Sequence, residues 1–190
     1  MKRILVLIAL STVLSSCGPR KPPSYGKIPD FHLKATDGGP AAYLDNKDLL
    51  GAPWIASFIF TSCQGPCPVI TARLSRMQKD LAGKASLVSF TVDPDTDTPE
   101  ILAAYARKFG AEKGLWRFAT GDKASLQNLI SKGFKLAAVE NEGAAPATRV
   151  THSTKVVLVD ASGFIRRYYD CENPSLSNEI LKDLQTLRGN

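Results

Sequence analysis

From Pro53 to Phe60 the chain reads PWIASFIF, an uncharged and mostly apolar run. Such a run predicts a strand buried on both faces. The period then changes: Val69, Ile70, Leu74, Met77 and Leu81 recur at helical spacing from Pro66 onward, with Arg73, Arg76 and Lys79 opposite. SLVSFTV (86–92) predicts the next strand. Thr98, Pro99 and Glu100 follow as a cap, a first-turn proline and an acid suited to the positive end of a helix dipole. The helix they open should bury Ile101, Leu102, Tyr105 and Phe109. LWRFAT (115–120) predicts a short strand, and Asp122 opens a helix over Ala124–Lys132. VVLVD and FIRRYY around the turn ASG predict a hairpin, and Ser175–Leu187 a closing amphipathic helix. Strands alternating with helices predict an α/β domain with some parallel pairing. We expect a central mixed sheet flanked by helices, with an inserted N-terminal hairpin and loop.

The first residues follow another rule. Lys2 and Arg3 precede an apolar run from Ile4 to Leu14 and then small residues, the pattern of an export signal. A helix of that run reaches only about 16 Å, roughly half of a ~30 Å hydrocarbon core, so it is too short to span a bilayer. It ends in LSSC, which resembles the lipobox of bacterial lipoproteins and implies cleavage before Cys17 and lipidation of its thiol. The expected organisation is a signal peptide over 1–16, a Pro-, Gly- and Ser-bearing tether over 17–27, and one domain over 28–190. The chain carries 24 basic and 18 acidic residues. Loss of Lys2 and Arg3 with the signal leaves 22 against 18, a net charge of +4, with both signs interleaved. The longest basic cluster near aromatics, Arg166 to Tyr169, sits in a predicted strand, so no nucleic-acid footprint is expected.

Export sharpens the question of the thiols, because outside the cytoplasm they tend to be oxidised. Three remain beyond Cys17: Cys63, Cys67 and Cys171. Cys63 and Cys67 fall where the first long buried strand meets the first helix, a placement that, with the element order, points to a thioredoxin-like fold. The spacing alone permits a structural staple, a redox couple or a pair of soft metal ligands. A bridge closing about five residues gives ~2 kcal/mol in the chain-entropy picture, against ~4.7 kcal/mol for one closing about a hundred, so a staple gains little here. The helix start offers free N–H groups and a positive dipole end, which favour thiolates. A thioredoxin-type oxidoreductase carries a proline just before the strand facing the pair. Here KVVLVD is preceded by THST, and the nearest proline, Pro146, lies well upstream. His152 stands there instead. A histidine at a strand start is most simply a satisfied surface group, but two thiolates and an imidazole form a compact donor set for Cu(I). No fourth protein ligand for structural zinc is evident. His32 alternates with Phe31 and Leu33 and is expected to be an exposed strand residue.

FTSCQGPCP, SFTVDPDTDTPEILAAYARKFGA, LWRFATG and THSTKVVLVDASGFIRRYYD together resemble the Sco/SenC family over most of residues 28–188. The family comprises membrane-anchored, thioredoxin-like copper-binding proteins of cytochrome c oxidase assembly. The resemblance implies Cu(I) ligation by Cys63, Cys67 and His152, with Cu(II) and an added ligand as a further state. It implies delivery of copper to the dinuclear site of the oxidase, or reduction of that site's cysteines by a Cys63/Cys67 redox pair. A peroxidase of the peroxiredoxin type is a third, weaker reading. The expected partners are the copper-site subunit of the oxidase, an upstream periplasmic thiol reductant or copper donor, and the membrane through the lipid anchor. The expected location is the outer, periplasmic face of the bacterial inner membrane. Asp93, Asp95 and Asp97 match the family motif, with turn formation and dipole complementation as their main role and tuning of the copper site by Asp93 or Asp97 as a second. Cys171 stands where relatives often have glycine and is read as an incidental thiol.

Overall fold

The computed structural model describes residues 23–141, 143–148 and 150–188. The signal segment and Cys17 therefore lie outside the described residues. Nine strands and four α-helices follow in order: β1 (His32–Thr36), β2 (Ala42–Asp45), β3 (Trp54–Ile59), α1 (Pro66–Leu81), β4 (Ser86–Thr91), α2 (Pro99–Lys108), β5 (Trp116–Thr120), α3 (Lys123–Asn128), β6 (Ala138–Glu140), β7 (Val150–His152), β8 (Lys155–Val159), β9 (Ile165–Asp170) and α4 (Leu176–Arg188). Seven strands form one mixed sheet in the order β2-β1-β5-β4-β3-β8-β9. β3, β4 and β5 run parallel, and the flanking pairs are antiparallel. The N-terminal hairpin is β1–β2.

The periodicities explain the layers. Every residue of β3 is buried, as its unbroken apolar run requires of a strand at the middle of a sheet covered on both faces. Trp54, Phe58, Phe90 and Phe134 pack ring against ring on one side of it, with Phe58 and Phe134 centroids 4.9 Å apart. Inside the sheet the Ser57 and Ser89 hydroxyls lie 2.7 Å apart, and Ser89 Oγ accepts from Trp116 Nε1 at 2.9 Å. These buried polar atoms are thereby satisfied.

Two helix faces differ from expectation. On α1 the buried stripe is Cys67, Ile70, Leu74, Met77 and Leu81, while Val69 is about half exposed. On α2 it is Leu102, Ala103, Tyr105 and Ala106, and Ile101 points out. Two alanines, Ala103 and Ala106, take inner-face positions, and Ile101 lies outside that stripe. The helix expected over 124–132 is α for its first six residues and then widens into a π-turn over Leu129–Gly133. The closing hairpin turns at Asp160, whose carboxylate accepts from the N–H groups of Ser162 and Phe164. One element was not expected: β6 and β7 pair as a separate two-stranded ribbon, with Ala138 opposite His152.

Candidate metal centre

β3 ends at Ile59, and the chain crosses to α1 over six residues, 60–65. Cys63 N–H donates to the Phe60 carbonyl at 3.3 Å, which tightens that crossing. Pro66 occupies the first helical position, where its missing N–H costs nothing. Cys67 is next on the helix and belongs to its buried stripe, so its thiol is fully enclosed. Cys63 precedes the helix and keeps 8% of its surface exposed. The two are therefore not a pair on one helical face: one is a loop residue, the other a helical one.

His152 arrives from the opposite side, at the end of β7. Its Nε2 lies 3.4 Å from Cys67 Sγ. Its Nδ1 lies 3.0 Å from the Ser153 carbonyl oxygen, which can only accept, so Nδ1 carries the proton. Nε2 then presents its lone pair to Cys67, whose S–H donates to it. A backbone carbonyl on the far nitrogen is the usual way a ligating imidazole is held in register. The Phe60 ring stands edge-on to the imidazole, centroids 5.6 Å apart.

Burial governs the protons. It pushes the Cys67 thiol well above its ordinary value; a backbone hydrogen bond from Phe60 opposes this, and neighbouring Cys63 adds to it. The thiolate expected at a helix start is thus outweighed here, because a fully enclosed sulfur loses more hydration than the first turn returns. Burial lowers His152 below the usual imidazole value, and its bond to Ser153 opposes the shift only in part. The resting pair is a neutral thiol facing a neutral imidazole. Cys63, Cys67 and Cys171 are all free thiols.

As a donor set the site offers two sulfurs and one imidazole nitrogen, which suits a soft monovalent cation. The donors meet in pairs that share Cys67. Among the described residues no three His, Cys, Asp or Glu side chains are already gathered about one point.

Around them sit groups the motif reading missed. Ser62 Oγ donates to the Pro146 carbonyl at 3.1 Å, joining the cysteine loop to the segment before β7. Asp97, read from sequence mainly as a dipole partner of α2, is fully buried and turned toward the cysteine loop, accepting from Thr61 and Thr91. Thr98 caps α2, its hydroxyl accepting from Ile101 N–H at 3.4 Å. Asp95 pairs with Lys123 at 2.9 Å, and Lys123 also reaches Glu140 on β6. Asp93 is buried in the same turn as Asp97, whose N–H its carbonyl accepts. The signal for Thr61 was a polar pair, Thr61–Ser62, ending an otherwise apolar strand run. Cys171 is buried where β9 ends, its carbonyl accepting from Arg73, and takes no part in the Cys67–His152 contact. His32 is the exposed strand residue expected, stacked on Tyr43 at 4.2 Å and bonded to Asp45 at 2.7 Å.

The family described as SCO1/SenC matches residues 21–188. A SCO1/SenC family lipoprotein from Bacillus anthracis is 29% identical, with a TM-score of 0.79 over 89% of this chain and 98% of that one. BsSco, described as a member of the Sco family of cytochrome c oxidase assembly proteins with a disulfide switch, is 28% identical, with a TM-score of 0.72 over 90% and 97%. Arabidopsis thaliana ScoI, solved with copper bound, is 20% identical, with a TM-score of 0.71 over 84% and 99%. With these neighbours the chain shares its thioredoxin-like fold.

Proposed function

The chain belongs to the SCO1/SenC family, and from that premise we propose that it is a copper carrier of the bacterial cell envelope. In this reading it binds Cu(I) through Cys63, Cys67 and His152 and passes the ion to the dinuclear copper site of cytochrome c oxidase. The observation that carries it is the 3.4 Å approach of His152 Nε2 to Cys67 Sγ, with Nδ1 turned to the Ser153 carbonyl. Nothing in a simple dithiol couple requires an imidazole so held. Cys67 gives up its thiol proton as the cation binds, and the shift of Cys63 and His152 toward a common centre completes the cage. Release runs by ligand exchange, as an acceptor's own thiolates replace these donors one at a time.

Lipidation at Cys17 would hold the domain on the outer face of the inner membrane, near the oxidase, with residues 17–27 as the tether. Among the described residues no helix is long and apolar enough to cross a membrane. In an oxidising compartment an upstream thiol reductant keeps the pair ready for loading.

The test is competition for Cu(I) between a chelator of known affinity and the reduced full chain, beside its Cys63→Ala, Cys67→Ala and His152→Ala variants. One tight equivalent is expected, weakened at least about tenfold by loss of the histidine, which is about 1.4 kcal/mol. The adjacency of the two free thiols favours one alternative, a thiol–disulfide reductase that keeps the oxidase copper-site cysteines reduced. That activity needs both cysteines and not His152. Unchanged copper affinity in His152→Ala would put the reductase first.

A further inference from the structure

A carboxylate with no exposed surface, set apart from the metal donors, requires an account, because burying such a group is costly unless every oxygen is used. Asp97 uses both. Its Oδ1 accepts from Thr61 Oγ1 at 2.5 Å and from Thr61 N–H at 3.2 Å. Its Oδ2 accepts from Thr61 N–H at 3.1 Å and from Thr91 Oγ1 at 2.5 Å. Its own N–H donates to the Asp93 carbonyl at 2.9 Å, which fixes the aspartate in the turn between β4 and α2. Helix capping does not explain it, since Thr98 is the N-cap of α2 and both Asp97 oxygens turn to Thr61 and Thr91.

Thr61 stands two residues before Cys63 in a crossing of only six residues. The other ties of that crossing are weaker in kind. Ser62 reaches the segment before β7, and Cys63 N–H makes a local turn back to Phe60. The carboxylate joins the Cys63 loop to the neighbouring strand, through Thr91 at the end of β4. Charged acceptors also form the stronger hydrogen bonds.

We propose that Asp97 is a positioning residue of the metal centre: by clamping Thr61 against Thr91 it sets where Cys63 stands relative to Cys67 and His152. The copper part of this rests on the function proposed above; the placement of Cys63 does not. Removing the clamp leaves the cysteine loop tied to the segment before β7 and loosened from Thr91, and Cys63 then samples positions that a three-donor set cannot use.

The test uses the reduced full chain and its Asp97→Asn, Thr61→Val and doubly substituted variants. It has two readouts: Cu(I) affinity by chelator competition, and the rate of iodoacetamide alkylation at Cys63 in the metal-free protein, with buried Cys171 as reference for the intact fold. Asp97→Asn should weaken Cu(I) binding by about 10–100-fold, the usual range for a group supporting a metal ligand. Thr61→Val should weaken it less, and the double variant no more than Asp97→Asn, since both remove one clamp. Cys63 alkylation should accelerate relative to Cys171 in each. Wild-type affinity and Cys63 reactivity in a folded Asp97→Asn protein, or additive losses in the double variant, would overturn the proposal. Should Asp97→Asn fail to fold, Thr61→Val decides, because it removes the 2.5 Å hydroxyl bond, the shortest that Thr61 makes to the carboxylate, while the N–H of residue 61 and Thr91 still reach it; wild-type affinity and Cys63 reactivity there would overturn the proposal. If the wild-type chain binds no Cu(I), the copper reading falls, and alkylation of Cys63 still decides the clamp.

Discussion

Cys67 and His152 face each other as donor and acceptor because a third atom, the Ser153 carbonyl oxygen, leaves Nδ1 no choice of proton. That arrangement fixes the sign of the pH dependence. Burial raises the Cys67 thiol, so in the metal-free protein its proton remains through the neutral range. Copper must displace it, and each unit of falling pH therefore costs about tenfold in Cu(I) affinity for that proton alone. Burial lowers His152, so imidazolium does not compete until more acid pH. We expect log affinity to rise with pH across neutrality by about one unit per pH unit or more, as measured by chelator competition at several pH values. A flat profile would mean that the proton on Cys67 is not the one exchanged. The pair itself was readable from the spacing of the cysteines and the rarity of histidine. The neutral state of the thiol was not, because burial depends on what the helix packs against.

Two elements bring the donors together, and they differ in rigidity. α1 lies on the sheet with a full apolar stripe and carries Cys67 within that stripe. His152 is on a ribbon of two three-residue strands, whose Val139 and Glu140 are exposed. Val150 anchors the ribbon in the core and Ala138 packs against it, while its polar ties are Ser62 to Pro146 and Lys123 to Glu140, and ion pairs at partly exposed positions each contribute little. Its amides should exchange hydrogen faster than those of β3 and β4, and bound Cu(I) should slow the exchange around β7, since a ligand that holds His152 holds its strand. Equal protection of β7 and β3 in the metal-free chain would show the ribbon to be part of the rigid body. Strands this short give no usable alternation, which is why the sequence predicts no paired ribbon there. The long elements were legible because six or more residues of one period leave little ambiguity.

At the scale of the molecule the sheet places the site at one end of β3. The cysteine loop leaves from that end, β4 delivers Thr91 and Asp97 beside it, and β8 runs antiparallel to β3, so the residues preceding β8, His152 among them, return to the same end. A cation bound across these separate segments binds only the folded chain and stabilises it. At a free Cu(I) level about 100 times the dissociation constant the gain is about 2.7 kcal/mol. For a domain of this size that corresponds to a rise in Tm of about 5–10 °C. The rise should shrink in His152→Ala and vanish in Cys67→Ala, and thermal unfolding followed by circular dichroism would show it. An equal rise in all variants would place the copper elsewhere on the protein.

By itself the sequence determined the long elements, their order, a mixed sheet with some parallel pairing and the family, because long apolar runs, helical stripes and contiguous motifs are local properties. It also marked Cys63, Cys67 and His152 as the residues to watch. Only the tertiary structure decided that Cys63 lies off the helix, that the buried Cys67 thiol holds its proton, that Ser153 orients the imidazole, and that Asp97 turns from its own helix to Thr61. Each of these rests on contacts between segments far apart in the chain, and on the water those contacts exclude. Neither is written in local spacing.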